Sequence, residues 1–182
     1  DGFECAGHPG EDDTPGLILI PAAADKVKIP MLASGGFGDG RGLVAALSLG
    51  AEGINMGTRF CATKEAPIHP NVKQAYIDND ERGSNLIFRS FKNTARVGKS
   101  AVSDEVVRRL AQPGAKFEDV KELVAGEAGR DMLKTGDLSK GIFWAGMIQG
   151  VIHDIPTCQV LIDRIIAEAE QIIDQRLAGF RA

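Results

Sequence analysis

Aromatic residues are scarce in this sequence, at 5% of 182, and there is one tryptophan, Trp144. A platform for stacking nucleobases would need more of them. Positive charge is not in excess either. The net charge is −4 and the isoelectric point about 5.4, so neither nucleic acid nor an anionic membrane is an expected partner. No apolar run approaches the roughly 18 residues of a membrane span. No signal peptide is expected, because the first residues are acidic and glycine-rich. Cysteine is sparse as well. Cys5, Cys61 and Cys158 are odd in number and far apart. They form neither a metal-ligand pair nor a disulfide framework, so no metal site is expected and a reducing cytoplasm fits.

What remains is an ordinary globular balance, 43% apolar and 25% charged, with length for one good core or one and a half small ones. Residues 1 to about 62 alternate short apolar runs with glycine-rich turns. From about 63 onward the period is mostly helical. "KIPMLASGG" predicts a strand that Pro30 can open but not interrupt. Its uniformly apolar run fits a strand covered on both faces. "DGRGLVAALSLG" predicts a helix with Asp39 as N-cap, Leu43, Val44 and Leu47 on its apolar stripe, and Gly50 as its stop. "AEGINMGTRF" predicts a second strand. Strand, helix, strand with tight connections is a βαβ unit, whose strands are parallel neighbours. Upstream, "DGFECAGH" reads as the end of another strand and "TPGLILIPAAADKV" as the helix after it. This alternation predicts a parallel α/β architecture.

Further along, a helix is expected from Glu65 or Pro70 to about Asp78, with others near 103–112 and 117–125. "SNLIFRSFKNTARV" fits a strand, a loop or a packed irregular segment. "GIFWAGMIQGVIHDIP" is apolar and glycine-rich, and Pro156 breaks it. "TCQVLIDRIIAEAEQIIDQRLAG" predicts a long amphipathic helix capped by Thr157 and ended by Gly179. Its buried stripe is Leu161, Ile162, Ile165, Ile166, Ala169, Ile172, Ile173 and Leu177.

The chemistry is expected where strands end. "ASGGFGDG" closes one strand and "NMGTRF" the next. In an eight-stranded α/β barrel, function sits at the C-terminal strand ends, and the loops after the last two strands often grip phosphate. Gly35, Gly36 and Gly57 remove side chains, so backbone N–H groups can approach phosphate oxygens. Thr58 adds a hydroxyl, and a short helix N-terminus behind the loop adds its dipole. Each glycine alone reads more simply as a turn. Two glycine-ended strands in one βαβ unit shift the reading toward phosphate. Gly40, Gly42 and Ala45 match the dinucleotide pattern G-x-G-x-x-A. They fall inside the helix, and no acidic residue closes the next strand, so a Rossmann site is rejected.

His8 follows a strand end, between Gly7 and Pro9-Gly10. Either it caps the chain locally, or its imidazole overlooks the phosphate cavity, as a general base near neutral pH or a donor to an anion. His69, at a helix start, reads as structural, and His153 as a cap or a partner of Asp154. Glu11, Asp12 and Asp13 read as a solvated loop rather than a cation site.

Three stretches, "DGFECAGHPGEDD", "IPMLASGGFGDGRGLVAALSLGAEGINMGTRF" and "GMIQGVIHDIP", resemble the nitronate monooxygenase family, also called 2-nitropropane dioxygenases. The resemblance covers nearly the whole chain and keeps the motif order. It implies a TIM-barrel-type α/β fold with a helical insertion, and non-covalent FMN. It implies that His8 is catalytic and that Ser34, Gly35 and Gly36, with Met56, Gly57 and Thr58, hold the FMN phosphate. Trp144 and Met147 would lie near the substrate mouth. Residues 1–62 would be the C-terminal portion of the barrel, 63–140 an inserted helical lid, and 141–182 a loop and long helix returning to the barrel. On this reading the chain is the second half of a longer protein, and a half barrel with two open sheet edges is not expected to be stable alone.

The implied activity is FMN-dependent oxidation of a small molecule, a nitroalkane or nitronate, with O₂, in a protein able to form a homo-oligomer. The family also takes in FMN-dependent enoyl-acyl-carrier-protein reductases and NADH:quinone reductases that share these loops. Hydride transfer from NAD(P)H to a quinone or an enoyl thioester is therefore the alternative. A third reading, of another class, is a non-catalytic module for a phosphate-bearing ligand. Two departures bear on the substrate: Ala6-Gly7 stands where the family often has two glycines, and Met147 where some relatives carry glutamine.

Overall fold

The computed structural model of the chain describes residues 1–180. The expected βαβ unit is present. β1 (Leu32–Ser34) and β2 (Gly53–Asn55) pair in parallel, in the register Leu32–Gly53, Ala33–Ile54, Ser34–Asn55. Two helices serve this unit, α1 (Gly16–Ala24) before it and α2 (Gly40–Ser48) between its strands. Asp39 caps α2 as expected: its side chain accepts from the Gly42 N–H at 3.0 Å. Val44 and Ala46 turn inward, whereas Leu47 is exposed. Ile20, Ala33, Phe37, Ala46 and Ala51 make the small core of the unit. β1 is not covered on both faces, as Leu32 is 63% exposed. Among the described residues β2 is its one strand neighbour, and the implied barrel is not closed.

Residues 1–6 do not form the strand expected of them. They make turns fixed by backbone hydrogen bonds: Gly2 N–H to Ser34 O, Phe3 N–H to Thr14 O and Cys5 N–H to Gly2 O. Gly7, at φ +80°, leaves extended geometry and makes a single antiparallel bridge to Arg96.

Past β2, α3 (Thr58–Cys61) is one turn, and α4 (Pro70–Asp78) takes the expected bounds. His69 is its N-cap, accepting at Nδ1 from the Asn71 N–H. The ambiguous segment is a hairpin, β3 (Ser84–Ile87) antiparallel to β4 (Ala95–Gly98). Against it packs α5 (Ala101–Leu110), through Val102 and Val106. No helix spans 117–125. Phe117–Asp119 make a single 3₁₀ turn, and Val120 leaves it to fill the hairpin core. The helix comes later, as α6 (Gly126–Thr135), closed by Gly136 at φ +74°. Val72, Tyr76, Met132 and Phe143 join α4, α6 and the extended segment 141–146 in a third core.

α7 (Cys158–Gln171) starts at Thr157, whose hydroxyl accepts from the Val160 N–H, and runs on as a π-helical stretch over Ile172–Leu177. It crosses α2 at Gly40, where a Cβ would fall 2.6 Å from Ala169 N. Leu161, Ile165 and Ala169 are buried there. Ile162, Ile166, Ile173 and Leu177, expected in the same buried stripe, are exposed, because α2 covers only one side of it. Among the described residues no helix is long and apolar enough to cross a membrane.

Candidate active site

The two glycine corners meet. The register sets Ser34 opposite Asn55, and Asn55 Nδ2 donates to Ser34 Oγ at 3.2 Å. Beyond this pair lies a hollow of about 220 Å³. Ser34, Gly35, Gly36, Met56, Gly57 and Thr58, the six expected phosphate-binding residues, all line it. So do Glu4, Cys5, Asn55, Gly146 and Ile148, which carry no sequence signal of their own.

The glycines serve two purposes. Gly35 and Gly36 lie at φ +88° and +81°, and a Cβ at Gly35 would sit 3.0 Å from the Gly2 backbone. Gly57 is at φ −97°, and a Cβ there would meet no atom within 4 Å. Packing does not require a glycine at 57, and a side chain would enter open space. Thr58 is buried. Its Oγ1 accepts from the Gly146 N–H at 3.0 Å, which leaves its own proton to donate.

Helix dipoles add less than expected. The first amides of α2 are taken, Gly40 N–H by Glu168 at 2.8 Å and Gly42 N–H by Asp39, and α3 is a single turn. Positive charge comes instead from Arg96, which is 4% exposed. It stands behind residues 3–5: Nη2 donates to Phe3 O at 3.0 Å, and the guanidinium lies 4.5 Å from the Phe3 ring centroid. Nη1 donates to Ser84 Oγ, and Nε has no hydrogen-bond partner among the described residues. Among the described residues it makes no ion pair, although Glu4 and Asp13 lie near enough to act on its charge. Glu4 turns its carboxylate to the Gly16 N–H, and burial raises the Cys5 thiol pKa, so Cys5 stays protonated. A buried cation behind the wall, in no ion pair among the described residues, favours an anion in the hollow and works against the carboxyls of Asp1 and Glu4, residues that also line it. Arg59 offers none, because its guanidinium is held by Asp154 at 2.7 Å. Asp154 also holds Arg164 at 2.7 Å, so Asp154 pairs with two arginines rather than with His153.

His8 does not line this hollow. It is exposed, two residues past Ala6, which does. Its Nδ1 lies 3.1 Å from Thr94 O. A carbonyl only accepts, so Nδ1 carries the proton and Nε2 of the neutral ring keeps its lone pair. Thr94 is buried and is itself fixed by Glu11: its N–H donates to Oε1 at 2.7 Å and its hydroxyl to Oε2 at 2.5 Å. These bonds hold the Glu11 carboxyl below the usual carboxylate range. Glu11 is thus the foot of a chain Glu11–Thr94–His8, not only a member of a solvated loop. Its partner is 83 residues away, beyond the reach of local spacing.

Trp144 meets His8, with ring centroids 5.9 Å apart. It is 45% exposed, and its carbonyl accepts from the Tyr76 hydroxyl at 3.0 Å. Met147 does not line the hollow. Its N–H donates to Glu4 O at 3.0 Å, while its neighbours Gly146 and Ile148 form the rim.

A sequence profile described as nitronate monooxygenase matches residues 1–168. The chain is 32% identical to a (3aS,4S,5R,7aS)-5-hydroxy-7a-methyl-1-oxo-octahydro-1H-indene-4-carboxyl-CoA dehydrogenase of Rhodococcus jostii, over 100% of this chain and 60% of that protein. It is 26% identical to a nitronate monooxygenase of Neurospora crassa, over 100% of this chain and 50% of that protein. It superposes on FabK from Thermotoga maritima with a TM-score of 0.89 at 29% identity, over 98% of this chain and 55% of that one. The chain thus spans about half the length of the proteins it matches, and its α/β fold is that of half a TIM-barrel-type structure. With the profile covering most of its length, the chain belongs to the nitronate monooxygenase family.

Proposed function

We propose that the chain belongs to an FMN-dependent oxidoreductase that oxidises nitroalkanes or nitronates with O₂. Members of the family are flavoproteins. The hollow at the paired strand ends carries the reading: it combines side-chain-free corners, open space at Gly57 and, behind the wall, a buried Arg96 in no ion pair among the described residues. On this reading Ser34, Gly35, Gly36, Met56, Gly57 and Thr58 hold the FMN phosphate. Bound FMN supplies the redox chemistry, while the chain supplies position and field. His8 Nε2 takes the proton from the carbon beside the nitro group. Once protonated, the ring donates to a nitronate oxygen and offsets its charge. Glu11 and Thr94 keep the ring in the tautomer that does this. Trp144 narrows the approach to His8, and Met147 stands at the substrate mouth. Residues 63–140 act as the lid, between the barrel residues 1–62 and the returning segment 141–182.

Anaerobic addition of a nitronate to the purified flavoprotein tests this. Bleaching by nitronate, with NADH acting slowly, is the expected result. If nitronate leaves the flavin oxidised while NADH bleaches it, the reaction is hydride transfer from NAD(P)H to an enoyl thioester or a quinone. Likeness to FabK and to an enzyme named for a CoA thioester favours that second reading. If the protein retains no flavin at all, both fail, and the hollow serves another phosphate-bearing ligand.

A further inference from the structure

A second hollow, of about 260 Å³, lies between α4, α6 and the segment 142–144. Its walls are apolar, formed chiefly by Ile68, Tyr76, Leu133, Phe143 and Trp144. Trp144 is also the residue beside His8, so one indole borders both the imidazole and this hollow. Three observations indicate that the space is kept for a ligand. The first is size, since an apolar cavity of about 150 Å³ already takes benzene. The second is the wall on α6, built from Gly126 and Gly129. Neither glycine is demanded by packing or by a left-handed backbone. A Cβ at Gly126 would meet Arg130 Nη1 at 3.7 Å, and one at Gly129 the Ile142 carbonyl at 3.4 Å, both ordinary contacts. Gly141 shows the contrast, because its Cβ would fall 2.9 Å from Gly129 N. Glycine weakens a helix interior relative to alanine, so at Gly129 α6 gives up stability where the hollow needs room. The third is Arg130, exposed on the rim and in none of the ion pairs among the described residues.

We propose that this hollow binds a medium-length hydrocarbon tail of the substrate, with an anionic group on that tail paired to Arg130. The inference rests on the reading that the substrate's reacting carbon faces His8, across Trp144. It adds the substrate class: an amphiphile, not a small nitroalkane alone.

Trp144 is the chain's one tryptophan, so its emission reports on the hollow without flavin or turnover. Titration with acetate, hexanoate, octanoate and decanoate is expected to give a saturable change, tightening about fourfold per methylene until the space is full. Gly129→Leu abolishes the decanoate response. Gly129→Ala, which favours the helix, weakens it about fourfold with no fall in melting temperature. Arg130→Gln removes the preference for octanoate over 1-octanol. A decanoate titration with no saturable change overturns the proposal, and so does a response that Gly129→Ala leaves untouched. Tail binding without nitronate or NADH chemistry would sink the catalytic reading and leave the site standing. Turnover without any Trp144 response would do the reverse.

Discussion

Single residues at the hollow where β1 and β2 end separate folding from the proposed ligand binding. Gly35 serves the backbone, at φ +88° with Gly2 close by. Gly35→Ala is expected to cost about 1–2 kcal/mol, read as a lower melting temperature. Gly57 serves the space in front of it. Gly57→Ala is expected to leave the melting temperature unchanged and to weaken FMN at least tenfold by flavin fluorescence titration. Glu11 acts through Thr94 on His8. Its carboxyl is held low by the Thr94 hydroxyl and N–H, so the clamp is complete above the ordinary carboxylate pKa, persists below it, and is lost only as pH falls through the lowered value of Glu11 itself. Glu11→Ala is expected to free Thr94 and let the His8 ring populate both tautomers near neutral pH, seen in ¹⁵N spectra of the imidazole. An unchanged single tautomer would remove Glu11 from the site. The glycine corners were legible in the sequence because they cluster where apolar runs end, but the placement of His8 outside their hollow was not, because residues 1–6 turn instead of forming a strand. Glu11 was not, because a glutamate in an acidic loop resembles any solvated one until Thr94 arrives from the hairpin.

At the level of elements, legibility followed local signals. α2 was readable from its Asp39 cap and three-and-four spacing. α4 was readable from Pro70 at its first turn, and α7 from Thr157. α6 was not, since it holds two glycines and Ala125 caps it with no side-chain bond. Tertiary packing sustains it, through Met132 at 0% exposure. The segment 117–125 misled in the opposite way: its apolar period is real, but the hairpin takes Val120 and ends the turn. α5 carries a readable charge pattern. Glu105 meets Arg108 and Arg109 three and four residues on, and their hydrogen bonds lower its pKa to about 2. A depressed carboxyl stabilises above its unfolded pKa, and the gain disappears as pH falls toward 2. Glu105→Gln is therefore expected to flatten the acid limb of melting temperature against pH, with little change at pH 7, where exposed pairs contribute little.

At the scale of the whole molecule, the βαβ unit presents apolar faces that no other described residue covers. Leu17, Ile18 and Leu32 are 59–67% exposed, and Ile162 and Ile166 lie bare on α7. Apolar patches of this kind promote association. The 182-residue chain is expected to self-associate in light scattering, and Leu32→Thr with Ile166→Lys to reduce it. The motif order showed that half a barrel was present, but not which faces would be uncovered, since burial of β1 and α7 depends on neighbours that local sequence does not specify. What unites the molecule is the hollow where β1 and β2 end, read as a phosphate site. The direct measurement is the affinity of the purified protein for FMN against riboflavin, repeated with Gly57→Val. The account predicts FMN binding at least tenfold tighter than riboflavin, and a folded variant that no longer tells them apart. Equal affinity for the two flavins, or a preference for FMN that survives the valine, would contradict it.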